Sequence, residues 1–82
     1  MRTRILTYDK KTGNDYQSLY DWFTEVRAKK LTESTYQIES NLGKEEFISK
    51  VSSFMQKGDN FWFVSVDDKT KGIFAEKIKK EN

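Results

Sequence analysis

Phe47, Ile48, Val51, Phe54 and Met55 recur at i, i+1, i+4, i+7 and i+8, a stripe that an α-helix gathers onto one face. Glu45 and Glu46 fall in its first turn, where the helix dipole favours anions. Gly58 stands where helices end on a left-handed residue. Next, Asn60-Phe-Trp-Phe-Val-Ser-Val-Asp67 is a dense run of β-formers and predicts a central strand buried on both faces. A helix with an aromatic stripe and a strand with two apolar faces need each other, which confines the chain to layered α/β packing.

The remaining elements follow from the same two periodicities. Residues 2–9 predict an opening strand, with Ile5, Leu6 and Tyr8 as an apolar run between polar flanks. Gly13-Asn14 marks a turn, and Asn14 or Asp15 can cap a helix over 15–29 through a side-chain oxygen. Tyr16, Leu19, Tyr20, Phe23 and Val26 are its apolar face, and Arg27, Lys29 and Lys30 fall in its last turn. Residues 31–40 are β-rich, split at Glu33-Ser34 into two short strands or bent there by a bulge. Asp68 to Gly72 reads as a turn. From Ile73 to Asn82 strand and helix patterns compete, and a short helix gathers Ile73, Phe74 and Ile78 better. This order predicts one α+β domain over residues 1–82: a ferredoxin-like sandwich, its sheet antiparallel or mixed, with two helices on one face.

Composition narrows the chemistry. Of 82 residues only 35% are apolar and none is Cys or His, which removes disulfides, thiolate or imidazole ligands, Cys nucleophiles and Ser-His-Asp triads. Twelve aromatic residues supply large core pieces, and a second copy covering the open sheet face predicts a homodimer. No segment approaches the ~20 apolar residues of a membrane span, and Met-Arg-Thr-Arg lacks a signal-peptide core, so a cytoplasmic protein without a membrane partner is expected. The net charge of +2 is evenly spread, so no basic block announces nucleic acid. The cationic clusters are Lys10-Lys11, Lys29-Lys30 and Lys77-Ile78-Lys79-Lys80, each compatible with an ordinary solvated surface.

Metal chemistry is thereby limited to hard cations such as Mg2+ on carboxylates and water. Asp9 is the candidate ligand, since a carboxylate ending a strand projects into the loop rim, although turn and cap roles need the same residue type. Glu33, Ser34 and Thr35 could line that rim, or simply break the strand. If nucleic acid is bound, Lys10, Lys11, Lys29 and Lys30 are the expected phosphate contacts. Phe61, Trp62 and Phe63 could stack bases, but core packing uses the same pattern.

Arg4-Ile-Leu-Thr-Tyr-Asp9, Asp15-Tyr16, Leu19-Tyr20 and Glu33-Ser-Thr-Tyr-Gln-Ile38 together resemble the small SinR-like proteins, relatives of the CRISPR-associated protein Cas-two and of VapD toxins. The likeness runs over roughly residues 3–66 in order and spacing; after Asp67 the chain is shorter than that family and lacks its Trp-rich end. The resemblance implies a ferredoxin-like fold, a sheet-to-sheet homodimer, and metal-dependent cleavage of RNA or DNA or a scaffold role on DNA. It places the family's metal-binding, catalytic Asp on Asp9, flanked here by Lys10 and Lys11. Two functions therefore compete: a dimeric nucleic-acid-associated protein with weak Mg2+-dependent endonuclease activity, and a non-enzymatic protein-interaction module, scaffold or inhibitor of a defence system, on the same dimer.

Overall fold

The computed structural model describes residues 2–9, 11–67 and 72–79. Their order is β1 (Arg2–Asp9), α1 (Gln17–Glu25), β2 (Lys29–Thr32), β3 (Thr35–Ser40), α2 (Lys44–Ser52), β4 (Asn60–Asp67) and β5 (Gly72–Lys79). The strands form one sheet in the order β2-β3-β1-β4-β5, every neighbouring pair antiparallel. Each helix connects two strands that flank a third: α1 carries the chain from β1 past β3 to β2, and α2 from β3 past β1 to β4. The protein is α+β, and no helix among the described residues is long and apolar enough to cross a membrane.

Side chains alternate across a strand, and here the alternation selects the core. Leu6 lies opposite Tyr36 on one side and Phe63 on the other, while Tyr8 lies opposite Phe61. Leu6, Tyr8, Ile38, Phe61 and Phe63 are buried on this face. Both helices pack on it. Phe23 of α1 stacks on Tyr36 with centroids 4.0 Å apart, and Phe47 of α2 meets Phe63 edge-on at 5.1 Å. Trp22 joins the helices by touching Phe47 and Phe54 at 6.2 and 5.5 Å.

The same phase carries Arg4 inward, although the sequence places it in a polar flank. It is 1% exposed, and its guanidinium lies 4.9 Å from the Phe47 ring centre and 5.5 Å from that of Phe63. It donates to Ser65 Oγ and, at 3.1 Å, to the Leu42 carbonyl. Burial, and then the neighbouring Arg2 charge, lower its pKa.

Three boundaries differ from expectation. The helix predicted over 15–29 stops at Glu25, because the chain turns left-handed at Arg27 (φ 56°) and Lys29 and Lys30 join a strand rather than a last turn. The break at Glu33-Ser34 is present as expected, as two strands, and β2 additionally shifts register between Lys30 and Thr32. α2 ends at Ser52, six residues before Gly58, where Ser53 Oγ donates to the Lys50 carbonyl at 2.6 Å. The expected C-terminal helix is replaced by β5, whose register on β4 runs from Asp67 opposite Gly72 to Asn60 opposite Lys79. An uncovered β4 edge would leave a row of backbone donors and acceptors unpaired, a pull that side-chain periodicity does not register. β4 itself is central but not buried on both faces: Phe61, Phe63 and Ser65 are buried, while Trp62, Val64 and Val66 are half-exposed.

Candidate functional site

The C-terminal end of β1 gathers several of the expected rim residues. Asp9 pairs in register with Asn60 and is exposed. Tyr8 N donates to the Ser34 carbonyl at 3.1 Å, which closes the Glu33-Ser34 turn onto β1. Thr7 and Thr35 share a hydroxyl hydrogen bond of 3.0 Å. Asp9, Glu33, Ser34 and Thr35 therefore stand at one end of the sheet, as a shared rim requires. Among the described residues no group of three His, Cys, Asp or Glu side chains converges in metal-binding fashion.

A second carboxylate beside the rim was not anticipated. Asp59 is fully buried. Its Oδ1 accepts from Tyr16 OH, from Asn14 Nδ2 at 2.8 Å and from Lys11 N at 3.2 Å, and its Oδ2 accepts from Gln56 N at 2.8 Å. Burial alone would raise its pKa, but these hydrogen bonds, led by that of Tyr16, outweigh it and hold the carboxyl below its ordinary value. Tyr16 is pushed up to about 12, by burial first and then by its bond to Asp59. The carboxylate ties the β1–α1 loop to the α2–β4 loop. A Cβ added at Gly58 would meet the flexible Lys11 side chain, with Cδ at 2.5 Å, which can move aside, so it is the backbone at φ 93° that calls for glycine there. Asn14 is thus spent on Asp59, and Asp15 Oδ1 accepts from Gln17 N at 2.9 Å at the helix start.

The expected cations do not share the rim. Lys11 is exposed beside it, whereas Lys29 and Lys30 lie exposed on the edge strand β2, opposite Gln37 and Tyr36. Lys10 and Lys80 lie outside the described residues. Arg27, which sequence reasoning put on a helix, joins Lys29 and Lys30 at this edge. Among the described residues none of the three has an ion-pair partner.

Beside Arg27 opens a cleft of about 210 Å³ lined by Tyr20, Phe23, Thr24, Arg27, Ala28 and Tyr36. It lies between the end of α1 and the β2–β3 hairpin. Phe61 and Phe63 belong to the core and cannot stack bases, which corrects one use considered for them. On the sheet face away from the helices, Ile5, Trp62, Val64 and Val66 are half-exposed, with Ile5 opposite Val64.

Sequence reasoning missed Asp59, Arg27 and the burial of Arg4. A usable signal for Asp59 was Gly58-Asp59-Asn60, turn chemistry set directly against a strand. Compared with protein-family models, curated proteins and solved structures, the chain has no significant match.

Proposed function

We propose that this chain is a ferredoxin-like domain that forms a homodimer and binds nucleic acid. The strand order 2-3-1-4, all antiparallel, with each helix crossing over one strand, supports that fold, and β5 extends it at one edge. The observation that carries nucleic-acid binding is the cationic edge. Arg27, Lys29 and Lys30 are three exposed cations within four residues, unpaired among the described residues and free to meet phosphates. Lys10 and Lys11, which follow Asp9 in the sequence, are the further proposed phosphate contacts. Asp9 is the proposed ligand for Mg2+, shared with Asp9 of a second copy, and the proposed catalytic residue of a weak RNA or DNA endonuclease, in keeping with the resemblance to Cas-two and VapD proteins.

Titration of labelled RNA and DNA at several salt concentrations tests the reading. Neutralised phosphates release counterions, so affinity should fall steeply with salt, and Lys29→Ala with Lys30→Ala should flatten the slope by about 2. Cleavage, where present, should require Mg2+ and vanish in Asp9→Asn. Absence of salt-dependent binding to either nucleic acid would overturn the proposal. It would favour the second reading, a non-enzymatic protein-interaction module built on the same dimer.

A further inference from the structure

We infer that the cleft between α1 and the β2–β3 hairpin holds one unpaired nucleotide of a single strand, its base against Tyr20 and Tyr36 and its phosphate on Arg27. This inference rests on the nucleic-acid reading and assigns it a place and a strandedness. The size is suited to a small planar group: about 210 Å³ falls below the ~300–1,000 Å³ of sites for drug-sized ligands. Two of the six lining residues, Tyr20 and Tyr36, are half-exposed aromatics, with buried Phe23 stacked behind Tyr36, and aromatic walls take any base because every base has a π-face. A base paired inside a duplex cannot enter such a cleft, so the occupant is unpaired.

Polar groups stand where an occupant needs them. The half-buried Tyr36 hydroxyl has no hydrogen-bond partner among the described residues and can meet a base edge. Thr24 donates its hydroxyl hydrogen to the Tyr20 carbonyl at 3.2 Å, which leaves its oxygen able to accept from an exocyclic amine. Arg27 sits at the rim, exposed, and guanidinium matches the fork of phosphate oxygens.

The backbone at Arg27 gives an independent argument. Ala28 N donates to the Phe23 carbonyl at 2.8 Å and Arg27 N to the Thr24 carbonyl at 3.2 Å, the paired bonds of a Schellman helix ending. That ending needs a left-handed residue, usually Gly, and Arg27 occupies it at φ 56°. The fold would be served better by Gly, so the side chain is explained by what it reaches and not by what it stabilises. Lys29 and Lys30 follow at once and can take the neighbouring phosphates of the same strand.

The test is a two-dimensional NMR titration of the full chain with uridine and adenosine 5′-monophosphate, then with a single-stranded oligouridylate and a duplex of equal length. Shifts should centre on Thr24, Arg27, Ala28 and Tyr36, and the single strand should bind more tightly than the duplex. Arg27→Gly, which suits the helix ending, should weaken mononucleotide binding about tenfold or more, and Tyr36→Phe should weaken it less. Oligonucleotides that bind in a salt-dependent way, with shifts elsewhere and no effect of Arg27→Gly, would overturn the cleft and leave the nucleic-acid reading standing. Failure of every nucleotide and oligonucleotide to bind would overturn both.

Discussion

Tyr16 and Asp59, 43 positions apart in the chain, share a buried hydrogen bond in which the phenol donates to the carboxylate. It joins the entry of α1 to the loop before β4. The carboxylate's remaining acceptor sites are filled by Asn14 and by the backbone of Lys11 and Gln56. A buried charge is tolerable only when so surrounded. The network therefore fixes both loops beside Asp9 and gives the rim a rigid floor.

Acid should loosen this floor. The folded carboxyl of Asp59 titrates below its ordinary value, so its stabilisation is complete above the unfolded pKa of about 3.9. It is lost as pH falls through the folded pKa, because the unfolded state takes up the proton first. Asp59→Asn should cost roughly 1–3 kcal/mol at neutral pH, since its amide turns a donor toward groups that already donate. Urea unfolding between pH 7 and pH 3 should show a shallower acid decline in the variant. An equal decline in both proteins would place the acid sensitivity elsewhere.

Alkali should act through the tyrosines. Tyr16 is pushed up to about 12, and Tyr8 is raised further, by burial first and then by its hydrogen bond to Tyr20. Unfolded tyrosine ionises near pH 10, so the contribution of Tyr16 is full below that pH and fades as pH rises toward 12. Phenolate absorbance from Tyr8 and Tyr16 should then appear only together with loss of the far-ultraviolet circular dichroism signal. Ionisation of all four tyrosines in one stage near pH 10, with structure intact, would contradict the burial argument.

What was legible in the sequence was whatever short-range periodicity controls. The Phe47–Val51 stripe, the apolar run of Ile5, Leu6 and Tyr8 between polar flanks and the β-rich run from Asn60 each produced their element. The Glu33-Ser34 break and the gathering of Asp9 with Glu33, Ser34 and Thr35 were legible as well, because a hairpin turn must fall at a strand end. The rest depends on partners distant in sequence. β5 exists because β4 offers an open edge, and Asp59 matters because Tyr16 arrives from the other loop. Arg4 is buried because its phase matches Leu6 and two phenylalanines cover it. Lys29 and Lys30 were misplaced because helix α1 ends on a residue type that seldom turns left-handed.

Arg27→Gly should stabilise the free protein while weakening nucleotide binding. A non-glycine left-handed residue costs roughly 1–2 kcal/mol, and glycine returns part of that as unfolded-chain entropy, leaving a gain near 0.5–1 kcal/mol. Denaturant midpoints of the two proteins, compared at equal m-values, measure it. A loss of stability would mean that the guanidinium holds the fold together, and the argument from its backbone would fail.

The open sheet face makes the last prediction. Ile5 and Val64 face each other in register at its centre, with Val66 and Trp62 along the same strand, all half-exposed. A second copy of the same face would bury them and remove the cost of their hydration. Light scattering at tens of micromolar should give the dimer mass for the parent chain. Val64→Lys should give the monomer mass, since the dimer would otherwise bury two unpaired ammonium groups. The parent's melting temperature should rise with protein concentration, as required when folding and association are linked, whereas that of Val64→Lys should not. Asp59 provides the control: Asp59→Asn weakens the helix-side loops without touching this face, and should lower the melting temperature while leaving the dimer mass unchanged. A parent chain of monomer mass with a concentration-independent melt would remove the dimer, and with it the sharing of one cation by two Asp9 carboxylates.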